Sequence, residues 1–430
     1  QDATENALYK QLSKHKAHHG CAVVMEVKTG DIKAIANLEI GSDGLYHETY
    51  NYAVGESTEP GSTFKLMSMI VALEDGVIGL HDTINTGDGT VKYYDKVIRD
   101  HEDEGLGKIT AREVFEHSSN VGTAKIIYEN YKDNPRRYVD RLYSMKINKP
   151  LDLQIKGEGK PVIRAPGDKL WSGISLPMMS HGYEVQMTPL QILTFYNAVA
   201  NGGKMVKPRF VTEVKDGNRV VKSFDTEVIT NAICSRSTIR KAQSLLEGVV
   251  EDGTAKNLKN SNYKIAGKTG TAQIANARHG YRSGARISYQ ASFVGYFPAD
   301  DPLYSCIVVV NAPSNWVYYG NVVSGPVFKE IADKVYASSF YRDLHALNPE
   351  GDEKVTLREA SSEVGKNDLT VAGGVMPNVV GMGLRDAIYM LENSGLRVHY
   401  TGRGRVVKQS PQPGVRVSRG ATVAVELRLR

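Results

Sequence analysis

The stretch from Glu59 to Leu73, EPGSTFKLMSMIVAL, constrains the chain most. Pro60 and Gly61 end a loop, and the residues after them form helix readily, which puts Ser62 at a helix N-terminus and Lys65 one turn later on the same face. Beyond Lys65 apolar residues point in nearly every direction as far as Glu74. Such a helix fills the centre of a domain rather than lying on its surface. A lysine at the mouth of that helix is costly to bury, because desolvation disfavours the ammonium; the neutral amine that results can take a proton from a nearby hydroxyl. Ser62 carries that hydroxyl. A plainer account has Ser62 capping the helix and Lys65 reaching back to solvent. A serine and lysine three apart are common, so the rest of the chain has to decide.

Residues 4 to 19 read as a polar amphipathic helix ending at Gly20, with His15, His18 and His19 on one face; a solvated face explains them better than a metal site. Cys21 to Val27 and Ile32 to Asn37 read as two strands joined by Lys28-Thr29-Gly30-Asp31, an antiparallel hairpin. Gly76 to Lys108 is glycine-rich and charged, and loops with short strands are expected there. Thr110-Ala111-Arg112-Glu113 is a capping box that starts a helix. It runs into Ser118-Ser119-Asn120, a junction from which Ser118 and Asn120 could face one cleft or simply cap helices.

Thr188-Pro189-Leu190 opens a core helix ending at Asn201-Gly202-Gly203, and residues 234 to 250 repeat the pattern. Tyr263 to Ala272 reads as a strand with Lys268 and Gly270 on one face, the glycine leaving an uncluttered floor beside the ammonium. An extended peptide could add to this edge, although a lysine also protects an edge strand against aggregation. Tyr289 to Phe297 and Tyr304 to Ala312 are two further strands, and a helix from about Pro326 to Ser338 closes the domain.

Residues 344 to 374 are polar and aperiodic, a linker. A small module occupies 375 to 430, with a helix from Leu384 to Asn393 and strands near 396–400, 405–409 and 421–427. From 397 onward it carries eight basic residues against the single acid Glu426, which suits a solvated face more often than an anionic polymer or lipid headgroups. Overall, 53 Lys and Arg against 48 Asp and Glu are too balanced for a nucleic-acid partner. Cys21, Cys234 and Cys306 lie far apart and make neither a disulfide framework nor a zinc spacing. No stretch approaches the length of a membrane span, and the start at Gln1 suggests a processed or truncated chain that has lost an anchor.

Three weak signals in fixed order are stronger than any one of them. Ser62-x-x-Lys65, Ser118-x-Asn120 and Lys268-Thr269-Gly270, with their flanks and with Met187-Thr188-Pro189-Leu190-Gln191, resemble the class B penicillin-binding proteins of the division type. The resemblance covers most of residues 1 to 340. It implies an α+β fold shared with serine β-lactamases, an antiparallel sheet flanked by helices, in residues 1–343. Pro377-Asn378-Val379 and Gln409-Ser410-Pro411 resemble a PASTA domain.

The resemblance further implies a serine acyltransferase that cross-links peptidoglycan stem peptides on the periplasmic or extracytoplasmic side of the membrane, is inhibited by β-lactams, and uses no metal or cofactor. Ser62 is then the nucleophile and Lys65 its base, with Ser118 and Lys268 as proton relay. Asn120, Thr269, Gly270 and Thr271 bind substrate, and the backbone N–H groups of Ser62 and Thr271 form an oxyanion hole. A glycan polymerase and division proteins are the implied partners, reached through a preceding region. Two other readings use the same residues: a β-lactamase, for which Glu158 would supply the second base although position 162 is Val, and a penicillin-binding sensor or wall-tethering protein.

Overall fold

The computed structural model describes all residues except 102–103, 218, 275–287, 315–316, 348–375, 403, 419 and 429–430. It divides into two compact units, Thr4–Tyr336 and Ala337–Arg430 with Gln1–Ala3.

Helix α1 (Asp2–His15) comes first in the chain and buries Ala7, Leu8 and Leu12. Strands β1 (His19–Glu26), β2 (Ile32–Ile40) and β3 (Tyr46–His47) come next, and β1 and β2 make the expected hairpin, with Val23 opposite Ile35. The predicted helix stops four residues early because Lys16 turns into the left-handed region at φ 46°, a helix-ending conformation. His19 therefore pairs as strand with Asn311 and Glu39, and the three histidines do not share a helix face. His18 Nδ1 lies 2.8 Å from His19 Nδ1, and His19 Nε2 lies 3.0 Å from Glu56 Oε2. No three metal-binding side chains cluster among the described residues.

The predicted buried helix is α2 (Lys65–Glu74), every residue of which from Lys65 to Leu73 is buried. Each large apolar side chain fully buried there contributes roughly 1.5–3 kcal/mol, enough collectively to offset one desolvated lysine. The Gly76–Lys108 region forms short hairpins, among them β4 (Thr90–Tyr93) with β5 (Lys96–Arg99). Helix α3 (Ala111–Glu116) begins on the predicted capping box: Thr110 Oγ1 accepts from Glu113 N at 3.2 Å, and Glu113 Oε2 accepts from Thr110 N at 2.7 Å. Helix α4 (Asn120–Tyr131) starts after a break of three residues, His117, Ser118 and Ser119.

Helices α5 (Pro189–Ala200) and α6 (Arg236–Glu251) are the two predicted core helices, and Asn197 and Tyr196 of α5 are fully buried. Strands β6 (Ala266–Gln273), β7 (Tyr289–Phe297) and β8 (Tyr304–Asn311) complete an antiparallel six-stranded sheet in the order β6-β7-β8-β1-β2-β3, leaving β6 at an edge. Cys21 and Cys306 are free and buried in this sheet, small apolar fillers as expected. The closing helix α7 (Gly325–Leu347) runs nine residues past its predicted end, since no Gly or Pro interrupts it before Pro349. The start of the expected linker is thus helical, and the rest of it lies outside the described residues.

In the smaller unit, helix α8 (Leu384–Asn393) packs on β9 (Arg397–Gly402), β10 (Arg405–Ser410) and β11 (Thr422–Arg428), the elements read from the sequence. Strand β11 is central, parallel to β9 and antiparallel to β10. Buried Gln409 ties the entry of the unit to the sheet, accepting from Val379 N at 2.7 Å and donating to Pro377 O at 2.8 Å. None of the helices among the described residues is long and apolar enough to cross a membrane.

Candidate active site

Ser62 lies in a single 3₁₀ turn, Gly61–Phe64, that leads directly into α2. Two clamps hold this turn. Tyr196 of α5 donates its hydroxyl to Thr63 O at 2.8 Å, and Gly61 N donates to Gly182 O at 3.1 Å. Gly61 has φ 55° and meets β6 so closely that a Cβ there would sit 2.9 Å from the Ala272 Cβ. A side chain at Gly270 would meet Ser292 Oγ at 2.2 Å and Thr63 Cγ2 at 2.9 Å. The expected uncluttered floor is therefore a tight contact between the nucleophile turn and the sheet edge, and glycine is what permits it.

Ser118 occupies the α3–α4 junction in the left-handed region, φ 58°, a conformation that costs a non-glycine residue about 1–3 kcal/mol. Ser119, not Ser118 or Asn120, caps α4, accepting from Gly122 N at 2.8 Å. This frees the other two for the cleft. The Lys65 ammonium donates to Ser118 O at 2.5 Å, Asn120 Oδ1 at 2.7 Å and Ser118 Oγ at 3.2 Å. Lys268 donates to the same Ser118 Oγ at 2.7 Å and to Thr269 O at 3.1 Å.

One hydroxyl thus bridges two lysines that are both completely buried. Burial pushes the Lys65 amine down to about 7, partly opposed by the Asp100 carboxylate. Lys268 is driven well below its ordinary value by burial and by the charge of Lys65. With both Ser118 Oγ lone pairs facing lysines, its own proton is left to point elsewhere.

Ser62 sits between two arms of a cleft, of about 340 and 290 Å3. Ser62, Thr271, Asp100 and His101 line both arms. Asn120, Tyr183, Tyr289 and Tyr318 line the first, with Tyr289 and Tyr318 stacked at 4.0 Å. Ser118, Thr254 and Thr269 line the second, where the Thr254 and Thr269 hydroxyls lie 2.9 Å apart. Among the described residues no hydrogen bond reaches the Ser62 hydroxyl, so the direct Ser62-to-Lys65 link expected from the sequence is not made in this conformation. Catalytic hydrogen bonds commonly tighten only once substrate is bound. Asn120 Nδ2 is already committed to Arg99 O at 2.8 Å and keeps one N–H for a ligand.

Glu158 does not line the cleft. Its carboxylate accepts from Leu151 N at 2.6 Å and Gln191 Nε2 at 3.3 Å, holding a loop against α5, so it is not placed as a hydrolytic base. Sequence reasoning passed over Asp100, His101 and His181. The first two fall in the stretch read as loops with short strands, and nothing in their spacing marks them. His181 is buried beside Lys65, and desolvation together with that neighbouring charge lowers it to about 3; its Nδ1 lies 2.9 Å from Pro177 O and donates to it.

A family model described as the penicillin binding protein transpeptidase domain matches residues 20–333, and a PASTA domain model matches 374–428. Stage V sporulation protein D of Bacillus subtilis is 28% identical over 440 residues, covering 99% of this chain and 64% of that protein. The peptidoglycan D,D-transpeptidase FtsI of Escherichia coli is 29% identical, covering 81% and 56%. The chain therefore spans less than two thirds of either relative. Among solved structures, penicillin-binding protein 3 of Mycobacterium tuberculosis, complexed with aztreonam, superposes with a TM-score of 0.68 at 26% identity, over 79% of this chain and 77% of that one. The motif order, the α+β architecture and the match over residues 20–333 agree, and the chain belongs to the penicillin-binding protein transpeptidase family and carries a PASTA domain.

Proposed function

We propose that the chain is a serine D,D-transpeptidase that cross-links peptidoglycan stem peptides in septal wall synthesis. The observation that carries the reading is the Ser118 hydroxyl bridging Lys65 and Lys268 beside the Ser62 cleft. Ser62 Oγ attacks the carbonyl between two terminal D-alanines, its proton passing to neutral Lys65. The peptide C–N bond breaks, and the departing D-alanine amine takes a proton relayed through Ser118 from the lysine pair. An amine of a second stem peptide then attacks the Ser62 ester, forming the cross-link and restoring the serine.

Edge strand β6 offers its free side to an extended donor peptide, with Thr269 and Thr271 toward the terminal carboxylate and Asn120 toward the peptide amide. The backbone N–H groups of Ser62 and Thr271 serve as the oxyanion hole, a device whose loss costs about 3 kcal/mol in comparable sites. β-Lactams acylate the same serine, a reading supported by the aztreonam complex of the mycobacterial relative. The extracytoplasmic face of the membrane, a glycan polymerase and division proteins complete the proposal, supported by the resemblance to FtsI.

The test is exchange: the protein given a D-alanyl thioester donor and a D-amino acid acceptor should release thiol and form the exchanged product, both dependent on Ser62. Thiol release without exchanged product would replace transferase by hydrolase. Acylation should also follow the Lys65 titration. Protonated Lys65 cannot accept the serine proton, so the acylation rate should rise about ten-fold per pH unit below a midpoint near 7 and level off above it. A rate that does not change across that interval would remove Lys65 as the base.

A further inference from the structure

The segment Arg99–Asp100 grips the α3–α4 junction and the first turn of α4 at three points, on Ser119, Asn120 and Val121. Asp100 Oδ2 accepts from Ser119 Oγ at 2.8 Å, Asp100 Oδ1 accepts from Val121 N at 3.0 Å, and Arg99 O accepts from Asn120 Nδ2. The segment is itself fixed, since Asp100 N donates to Gly89 O at 2.8 Å and Arg99 pairs with Thr90 across the β4–β5 hairpin. The Asp100 carboxylate thus lies at the positive end of the twelve-residue helix α4 while lining both arms of the cleft beside Ser62.

Its electrostatic setting is one-sided. The titratable groups around Lys65 are Lys268 across Ser118, His101 next to Asp100, and His181 from the far wall; burial holds both histidines below their ordinary range, and Lys65 depresses each of them. Asp100 is the carboxylate that opposes desolvation at Lys65.

We propose that Asp100 is a positioning residue of this site: it locks Ser118 in its left-handed conformation and Asn120 against Lys65, and supplies the negative charge that balances the lysine pair. Capping alone would need only a polar acceptor. Charge balance needs a carboxylate, and the two roles separate experimentally because Ser119 shares the cap without the charge.

The inference rests on the transferase reading and is tested by acylation of the full chain with benzylpenicillin as a function of pH, in wild type, Asp100→Asn, Asp100→Glu and Ser119→Ala. Asp100→Asn should lower the plateau rate roughly 10- to 100-fold through loss of alignment and move the midpoint to lower pH, since removing the carboxylate makes the ammonium harder to keep. Ser119→Ala should lower the plateau and leave the midpoint in place. Asp100→Glu should keep the wild-type midpoint with a reduced plateau, and it carries the test should the asparagine variant fail to fold. Coincident midpoints for Asp100→Asn and wild type, an equal shift in Ser119→Ala, or a shifted midpoint in Asp100→Glu would each overturn the proposal. Wild type that does not acylate at all would instead sink the transferase reading.

Discussion

Lys65→Met is expected to slow acylation by a β-lactam about 10²- to 10⁴-fold while leaving the protein folded. The side chain is completely buried and donates to Ser118 O, Ser118 Oγ and Asn120 Oδ1. Methionine fills nearly the same space without the charge. Two effects on stability then oppose each other. Removing a buried cation relieves its desolvation, worth several kcal/mol, whereas leaving the Ser118 and Asn120 acceptors unpaired costs about 1–3 kcal/mol each. They nearly cancel, so the urea midpoint should move little although the chemistry collapses. Acylation kinetics and equilibrium denaturation on the same variant check both halves. A variant acylating at the wild-type rate would show that the serine proton leaves by another route.

Gly182→Ala should do the opposite and fail mainly by structure. Gly182 sits at φ 89°, and a Cβ on it would lie 2.1 Å from Gly61 O, a backbone atom of the nucleophile turn that cannot swing aside as a side chain would. A left-handed conformation costs an L-residue about 1–2 kcal/mol, and overpacking a tight site adds about 1–3. Relief requires Gly61 to move, which breaks its 3.1 Å hydrogen bond to Gly182 O and shifts Ser62 away from β6. The expected outcome is a loss of roughly 2–5 kcal/mol in chemical denaturation, accompanied by slow acylation even where the protein is still folded. Wild-type stability in this variant would mean that the Gly61–Gly182 contact yields without cost.

What the sequence made legible was local. The capping box at Thr110 reappears with both reciprocal hydrogen bonds, because it needs only residues three apart, and the helix start read at Thr188 is where α5 begins, with a capping box not read from the sequence. The β1–β2 hairpin and the all-round apolar helix α2 likewise came from periodicity. The end of α1 did not, since Lys16 is no usual left-handed residue and strand pairing of His19 overrode helix propensity.

Within the site, the residue types and their order were readable, but the wiring was not. That Ser119 takes the cap and so releases Ser118 is a matter of which of two adjacent serines faces the helix end. Gly270 was read as open space, and it is instead where Thr63 and Ser292 press against the strand. Asp100 lies 38 positions from Ser62 and reaches the cleft only through the fold of a short hairpin, a relation with no periodic signature.

The deciding measurement is the intact mass of the full chain after incubation with benzylpenicillin, taken over time in wild type and Ser62→Ala. A nucleophilic Ser62 beside a lysine pair, with Glu158 held away from the cleft, gives a single adduct of one benzylpenicillin that persists in wild type and is absent from Ser62→Ala. No adduct in wild type, rapid return to the free mass, or an adduct that survives Ser62→Ala would contradict a slowly deacylating Ser62 acyl-enzyme.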